Sequence, residues 1–381
     1  MVSPLASNVV RIDVVRPFWQ EQRPDVVMET LWEFVVPVPR GCILDQSEAR
    51  PHSRSLWLRY GLPATAGGNG ERAMKVRPNP GNLRLFQHIG ADWNRLEQTV
   101  SGLEDVSILD MSVRPGHYHC GEQLVLTDDQ GCFVWQAEQR RAITRLPVKI
   151  PPLRSIFTDD GRLLALAFDE GTVSVFKMID TGAHPLEYTL SFKEIARITV
   201  GDREPVTDWA LRFAPAGDYL YIVKIVGRKH LRARLRVNDN CLRWFRSLDT
   251  EDENWAMVIG TCSSHENAQV CFAGLGNLCH HLPDKLTLCS QATCVGGQDV
   301  AYLSGLELIR PKMAPTSVAL CWNPSRIWLT DLGRSTRTST KVLVQRAIPE
   351  ASRNRRRYAR CGLDGNTLFA VVAQKEVEDD K

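Results

Sequence analysis

The sequence predicts an all-β fold assembled from repeated antiparallel meanders. Three observations carry this expectation. First, a frame of an apolar residue, a glycine four positions on and a leucine three further occurs three times. It reads Phe-Thr-Asp-Asp-Gly-Arg-Leu-Leu at 157–164, Phe-Ala-Pro-Ala-Gly-Asp-Tyr-Leu at 213–220 and Cys-Gly-Leu-Asp-Gly-Asn-Thr-Leu at 361–368. Second, short runs of β-branched, aromatic and aliphatic residues are bounded by Asp/Gly turns. Third, no long amphipathic helical pattern or interdomain linker interrupts them.

Residues 9–15 (Val-Val-Arg-Ile-Asp-Val-Val) predict a strand that joins the last repeat unit and closes the array. Residues 32–36 and 56–60 read as strands, and 67–70 (Gly-Gly-Asn-Gly) as a mobile loop. A meander follows: a strand over 106–113, a loop over 114–121, a strand over 123–127, a turn at 128–131 and a strand over 132–135. The next has the same shape. Residues 155–157 end a strand, 159–161 turn, 163–168 form an apolar strand, 169–171 turn and 172–176 form a third strand. Glycine suits both turns because it accepts positive φ at no steric cost. Residues 206–213, a turn at 214–217 and 219–226 repeat the pattern.

Over 231–237 strand periodicity puts Leu231, Ala233, Leu235 and Val237 on one face and Arg232, Arg234 and Arg236 on the other. Residues 255–261, 269–273, 317–322, 326–330 and 366–373 are further strands. The Ser/Thr/Arg-rich stretch 333–358 reads as a basic exposed loop or insertion, and 374–381 as an acidic tail. Trp135 and Phe176 end equivalent strands 41 residues apart, the spacing of one four-stranded blade.

These segments resemble the WD-repeat β-propellers. In that family the inner blade strands read aliphatic-x-Phe-Ser-Pro-Asp-Gly, an apolar strand, then Asp-Gly-Thr-Val-x-Leu-Trp-Asp. Residues 157–161 and 169–176 match this pattern, and 213–217, with Pro215, is a partial match. Residues 128–135 match less well, since Trp135 follows Gly131 by four residues rather than five. Neither Trp135 nor Phe176 is followed by Asp. The resemblance covers roughly 105–237, with an echo near the C-terminus, and implies a divergent member. At about 45–55 residues per blade the chain holds seven. The expectation is one propeller domain over 1–381, seven-bladed, with four-stranded antiparallel blades.

Composition bounds the function. The chain has 381 residues, 43% hydrophobic and 24% charged, with a net charge of +3. This is ordinary for a globular protein with a sizeable core. Eleven cysteines without regular spacing, and no Asn-x-Ser/Thr sequon, favour a reducing, intracellular compartment, cytoplasmic or nuclear. No uncharged stretch approaches the roughly 18 residues of a membrane helix. Charge is segregated: 224–246 holds eight Lys/Arg against one Asp, and 334–360 nine against one Glu. Such segments steer acidic partners.

Catalytic and cofactor chemistry finds little support. Cys262, Cys271, Cys279, His280, His281, Cys289 and Cys294 are irregularly spaced, without the short pairs of zinc sites, and read as buried cysteines and loop histidines. His117 and His119 read as loop residues. Ser304 lacks the first glycine of a nucleophile elbow, and the glycines at 274 and 276 lack the third of a dinucleotide fingerprint. No phosphate loop occurs. Acid pairs such as Asp159–Asp160 read as turn chemistry. No cofactor, metal or catalytic residue is expected.

Two basic sites remain. Three guanidinium groups on one strand face repel unless they meet solvent, acids or phosphate. Arg232, Arg234 and Arg236 therefore form either a solvated outer strand or a patch for an acidic partner. Arg353, Arg355, Arg356, Arg357 and Arg360 surround Tyr358 and read as a solvated loop, an import element or a nucleic-acid contact. Hydroxyls at 335–340 sit beside basic residues and suit a phosphorylation switch. The leading expectation is a non-catalytic scaffold for proteins with acidic surfaces. The alternative is a nuclear, nucleic-acid-associated subunit using both basic segments.

Overall fold

The computed structural model describes residues 8–19, 26–48, 55–62, 78–87, 98–115, 121–181, 188–202, 204, 206, 208–214, 216–227, 229–249, 258–263, 268–274, 277–281, 288–293, 305–309, 318–322, 326–331, 341–347, 356–363 and 366–376. Among the described residues the secondary structure is β, with no helix and so none long and apolar enough to cross a membrane.

The chain opens with β1 (Asn8–Trp19) and β2 (Val26–Pro37). The first sheet of consecutive strands is β3 (Ile43–Glu48), β4 (Ser55–Gly61), β5 (Leu83–Gln87) and β6 (Gln98–Thr99). The second is β7 (Asp110–Val113), β8 (Gln123–Asp128), β9 (Gly131–Gln136) and β10 (Arg141–Arg145). The third is β11 (Arg154–Phe157), β12 (Leu163–Ala167), β13 (Thr172–Thr181) and β14 (Thr189–Thr199). The fourth is β15 (Asp208–Phe213), β16 (Tyr219–Val226), β17 (Lys229–Arg236) and β18 (Cys241–Asp249). The fifth is β19 (Val258–Ser263), β20 (Ala268–Gly274), β21 (Asn277–His281) and β22 (Leu288–Thr293). The sixth is β23 (Gly305–Ile309), β24 (Val318–Trp322), β25 (Arg326–Asp331) and β26 (Lys341–Ala347). β27 (Arg356–Leu363) and β28 (Asn366–Glu376) end the chain.

Each of the six groups is a four-stranded antiparallel sheet in sequence order. The chain ends make a further sheet in the order β2-β1-β28-β27. There β1 runs antiparallel to β28 with Asn8 opposite Glu376 and Val15 opposite Phe369. The N-terminal strand thus enters the last sheet, as residues 9–15 predict.

The chain divides into two compact units, one of residues 1–17, 29–151 and 349–381, the other of 18–28 and 152–348. In the second unit four consecutive sheets follow one another as propeller blades, with β11 beside β15, β15 beside β19 and β19 beside β23. A core fills the space between the β11–β14 and β15–β18 sheets. Ala165, Ala167, Val173, Val175, Ala196 and Ile198 meet Trp209, Phe213, Leu220, Ile222, Ala233 and Leu235 there. Burying side chains of the Val, Leu, Ile or Phe class contributes roughly 1.5–3 kcal/mol each, so these faces hold the sheets together. In the first unit, β3 lies beside both β7 and β27. Trp57 and Leu83 pack there with Ile108, Met111, Leu124, Phe133 and Trp135.

The turns follow the local chemistry. At 158–163 the Leu163 N–H donates to the Thr158 hydroxyl, 3.0 Å, and the Arg162 N–H to Asp160 Oδ1, 3.0 Å. Side-chain oxygens here satisfy backbone donors that the sheet leaves over, which is why Thr, Asp and Gly recur at these corners.

Two expectations are corrected. β7 begins at Asp110, not 106, because the Asn82 side chain, not a partner strand, takes the N–H and carbonyl of buried Ile108. The stretch 333–358 is not one loop: Lys341–Ala347 is the fourth strand of its sheet and Arg356 begins β27. The run Val342-Leu-Val344 supplies the β-formers there. β14, Thr189–Thr199, completes the third sheet without having been read from the sequence. Residues 67–70 and 335–340 lie outside the described residues.

Candidate interaction surface

The β15–β18 sheet has two unlike faces. One belongs to the core just described. The register places Arg212 opposite Tyr221, and Arg236, Arg234 and Arg232 opposite Tyr219, Tyr221 and Val223. These residues form the other face. Across β17–β18, Arg234 is opposite Arg243 and Arg232 is opposite Arg246. A single sheet therefore gathers arginines from three strands and tyrosines from β16.

The parity of Arg232, Arg234 and Arg236 is as predicted, but their surroundings differ from a solvated outer strand. β17 is third in its sheet, paired on both edges. Arg234 is 5% exposed, with its guanidinium carbon 4.6 Å from the centre of the Tyr219 ring. That stacking shields part of the charge with an aromatic face. Arg232 is half-buried. Arg236 is exposed, and its guanidinium is 3.3 Å from the Asp239 carboxylate in the β17–β18 turn. A neighbouring sheet can cover a strand's second face, and parity alone cannot distinguish such a neighbour from water.

Of the second basic group, Arg356, Arg357 and Arg360 fall on β27, opposite Ala373, Val372 and Phe369 of β28. Arg353 and Arg355 lie outside the described residues. The two groups are thus placed in different sheets.

Sequence reading missed a set of polar groups, some buried, that tie consecutive sheets. Lys224, on β16, is fully buried. Its ammonium donates to the carbonyls of Val200, 3.0 Å, and Asp202, 2.6 Å, at the end of the preceding sheet. Burial holds its pKa below the usual lysine range, and the charges of Glu204 and Asp202 partly oppose that shift. Its cross-strand neighbour Trp209 donates from Nε1 to the Phe168 carbonyl, 3.1 Å, on that same sheet. Arg154 and Asp208, on the adjacent first strands β11 and β15, form a bidentate pair at 3.1 and 3.3 Å.

The first unit has its own lock. Arg59 is buried, ion-paired with Asp45, and donates to the Ile108 carbonyl at 3.2 Å. Asn82 exchanges hydrogen bonds with Ile108 at 2.9 and 3.0 Å. The signal available in the sequence was a lone Lys or Arg inside an apolar strand: Lys224 in Tyr-Leu-Tyr-Ile-Val-Lys, Arg59 in Leu-Trp-Leu-Arg-Tyr. A charge there needs acceptors, and backbone carbonyls at a sheet corner provide them.

Among the described residues no group of three or more His, Cys, Asp or Glu is placed to hold a metal ion. Cys262, Cys271, Cys279, His280, His281 and Cys289 lie on β19–β22, with Cys271 opposite His280. Cys294, His117, His119 and Ser304 lie outside the described residues. Cys132 is buried beside the Thr127 hydroxyl, 3.2 Å away, and desolvation pushes its thiol up to about 12. Such a thiol is an inert core residue rather than a nucleophile. No family model matches the chain, and no curated protein matches it in sequence.

Proposed function

We propose that this chain is a divergent, seven-bladed WD-like propeller that serves as a non-catalytic, intracellular scaffold for proteins with acidic surfaces. The observation that carries the reading is the sheet count among the described residues: seven four-stranded sheets, one of them pairing β1 with β28. Polar locks such as Lys224 on the Val200 and Asp202 carbonyls favour a rigid support. A rigid body of this kind presents its loops and edges without paying to order them on binding. Of the basic segments 224–246 and 334–360, the residues outside buried Lys224 and Arg234, such as exposed Arg236, supply the charge that draws acidic partners.

The test is affinity purification of the tagged full-length chain from cells, with a companion in which Arg236, Arg356, Arg357 and Arg360 are changed to Glu. The scaffold reading expects co-purifying proteins in near-stoichiometric amounts, lost at high salt and reduced in the charge-reversed chain. Recovery of the chain alone would sink it. Sequence-independent retention of DNA or RNA with a steep salt slope would instead favour the nucleic-acid reading.

A further inference from the structure

The β13–β14 hairpin projects past its own sheet. β12 pairs with β13 from Leu163 opposite Lys177 to Ala167 opposite Val173, and the Met178 N–H still reaches the Arg162 carbonyl, so residues 179–181 of β13 are paired by β14 alone. Among the described residues β14 is the terminal strand of the sheet order, with β13 on one side only. Its eleven residues therefore present an outer row of backbone donors and acceptors.

The solvent face of this hairpin carries an unbalanced charge. Lys177 is directly opposite Lys193, Ile179 opposite Ser191 and Thr181 opposite Thr189. Both lysines are exposed, and Ile179 is 36% exposed beside them. Like charges directly opposed across a ladder are unfavourable. Among the described residues neither lysine makes an ion pair. Among the described residues the hairpin's own acids do not answer them. Asp180 is opposite Leu190 and accepts the Tyr188 hydroxyl, and Glu194 is opposite Phe176, so both stand on the other face. Arg197, further along β14, is already 3.6 Å from Glu170.

We infer that the outer edge of β14 is a docking strand for an extended acidic peptide segment of a protein partner. The peptide adds as a further strand along 189–199 and sets a carboxylate beside Lys193, within reach of Lys177. Backbone pairing provides affinity and the lysine pair selects acid. Serving only to blunt the edge against self-pairing would need one lysine on the edge strand, whereas here a second stands opposite it on β13. The inference rests on the scaffold reading and names the chemistry of one partner.

The probe is a capped peptide of about ten residues alternating valine and glutamate, with a valine–lysine peptide as its counterpart. Binding to the full chain is read by fluorescence anisotropy at low and moderate salt. The acidic peptide is expected to bind, the basic one not, and hydrogen exchange is expected to slow along 189–199. K177E/K193E should weaken binding about tenfold or more, since reversal replaces attraction by repulsion. K177T/K193T, which keeps β propensity, should lose the salt dependence, and Lys149→Glu, at an exposed site elsewhere, should change nothing. Equal binding by wild type and both double variants, equal binding of the two peptides, or exchange unchanged over 189–199 would overturn the inference. Purification of partners unaffected by K177E/K193E would overturn this docking strand and leave the scaffold standing; recovery of no partner at all would remove the scaffold.

Discussion

Gly171 and Lys224 form a pair whose coupling can be worked out before it is measured. Gly171 has φ +84°, and a Cβ added there would lie 2.7 Å from the Lys224 ammonium nitrogen. Gly171→Ala therefore costs twice. The left-handed backbone costs roughly 1–2 kcal/mol for an L side chain. The methyl also drives the ammonium off the Val200 and Asp202 carbonyls, and each hydrogen bond from a charged group is worth roughly 1.5–3 kcal/mol. Asp202 is exposed, so water replaces the loss at its carbonyl. Val200 is buried, and its carbonyl bears the loss in full. The expected total is about 2.5–5 kcal/mol. In a Lys224→Ala background the ammonium is gone, and Gly171→Ala should cost only the backbone share, about 1–2 kcal/mol. The double-mutant cycle should then show a coupling of about 1.5–3 kcal/mol, read from urea midpoints at unchanged m-value. Additivity within about 0.5 kcal/mol would refute the claim that Gly171 is reserved for the lysine head.

Four further outcomes follow from the same structure. Arg59→Ala should cost about 3–5 kcal/mol in urea unfolding, because it leaves Asp45 without its buried cation and takes away one of the two donors on the Ile108 carbonyl. Cys132 should make wild type lose stability from about pH 9 to about 12, where the unfolded thiol ionises and the folded one does not. Against Cys132→Val the difference should narrow by about 1.4 kcal/mol per pH unit there, and a flat difference would reject the raised pKa. In native alkylation mapped by mass spectrometry, exposed Cys241 should be modified well before buried Cys132. Deleting residues 1–16 removes most of a strand internal to its sheet, so the loss should approach the roughly 5–15 kcal/mol stability of a whole domain, and an unchanged melting temperature would reject that role.

The legible parts of the fold were those where local chemistry and the sheet agree. Turns at 158–163 and 168–171 declare themselves because Asp, Thr and Gly do there what no other residues do as cheaply. Strands β12 and β13 follow from apolar runs between such turns. β14 was hidden by its own irregularity. A register shift between Val175 and Phe176 of β13 falls opposite Ile195, so Lys193, Glu194 and Ile195 do not alternate as a strand should. β26 was hidden differently, since its short Val-Leu-Val run sits among Ser, Thr and Arg that read as loop.

The site was less legible, and the reason is geometric. In a sheet with one wet face, alternation tells core from solvent. In stacked sheets both faces can be covered, and the second face must then hold groups that satisfy one another rather than water. Arg234 against Tyr219 is such a group and reads from sequence as a surface charge, while Lys224 on two carbonyls is buried on the core face itself. The inference should run in the opposite direction from the usual one. Arginines spaced two apart on an internal strand point first to partners within their own sheet, as Tyr219 under Arg234 and Asp239 beside Arg236 show. A like-charged pair becomes a candidate for an outside partner only where the strand has lost a neighbour. Lys177 and Lys193 meet that condition at the projecting hairpin; Arg232 and Arg234, between β16 and β18, do not.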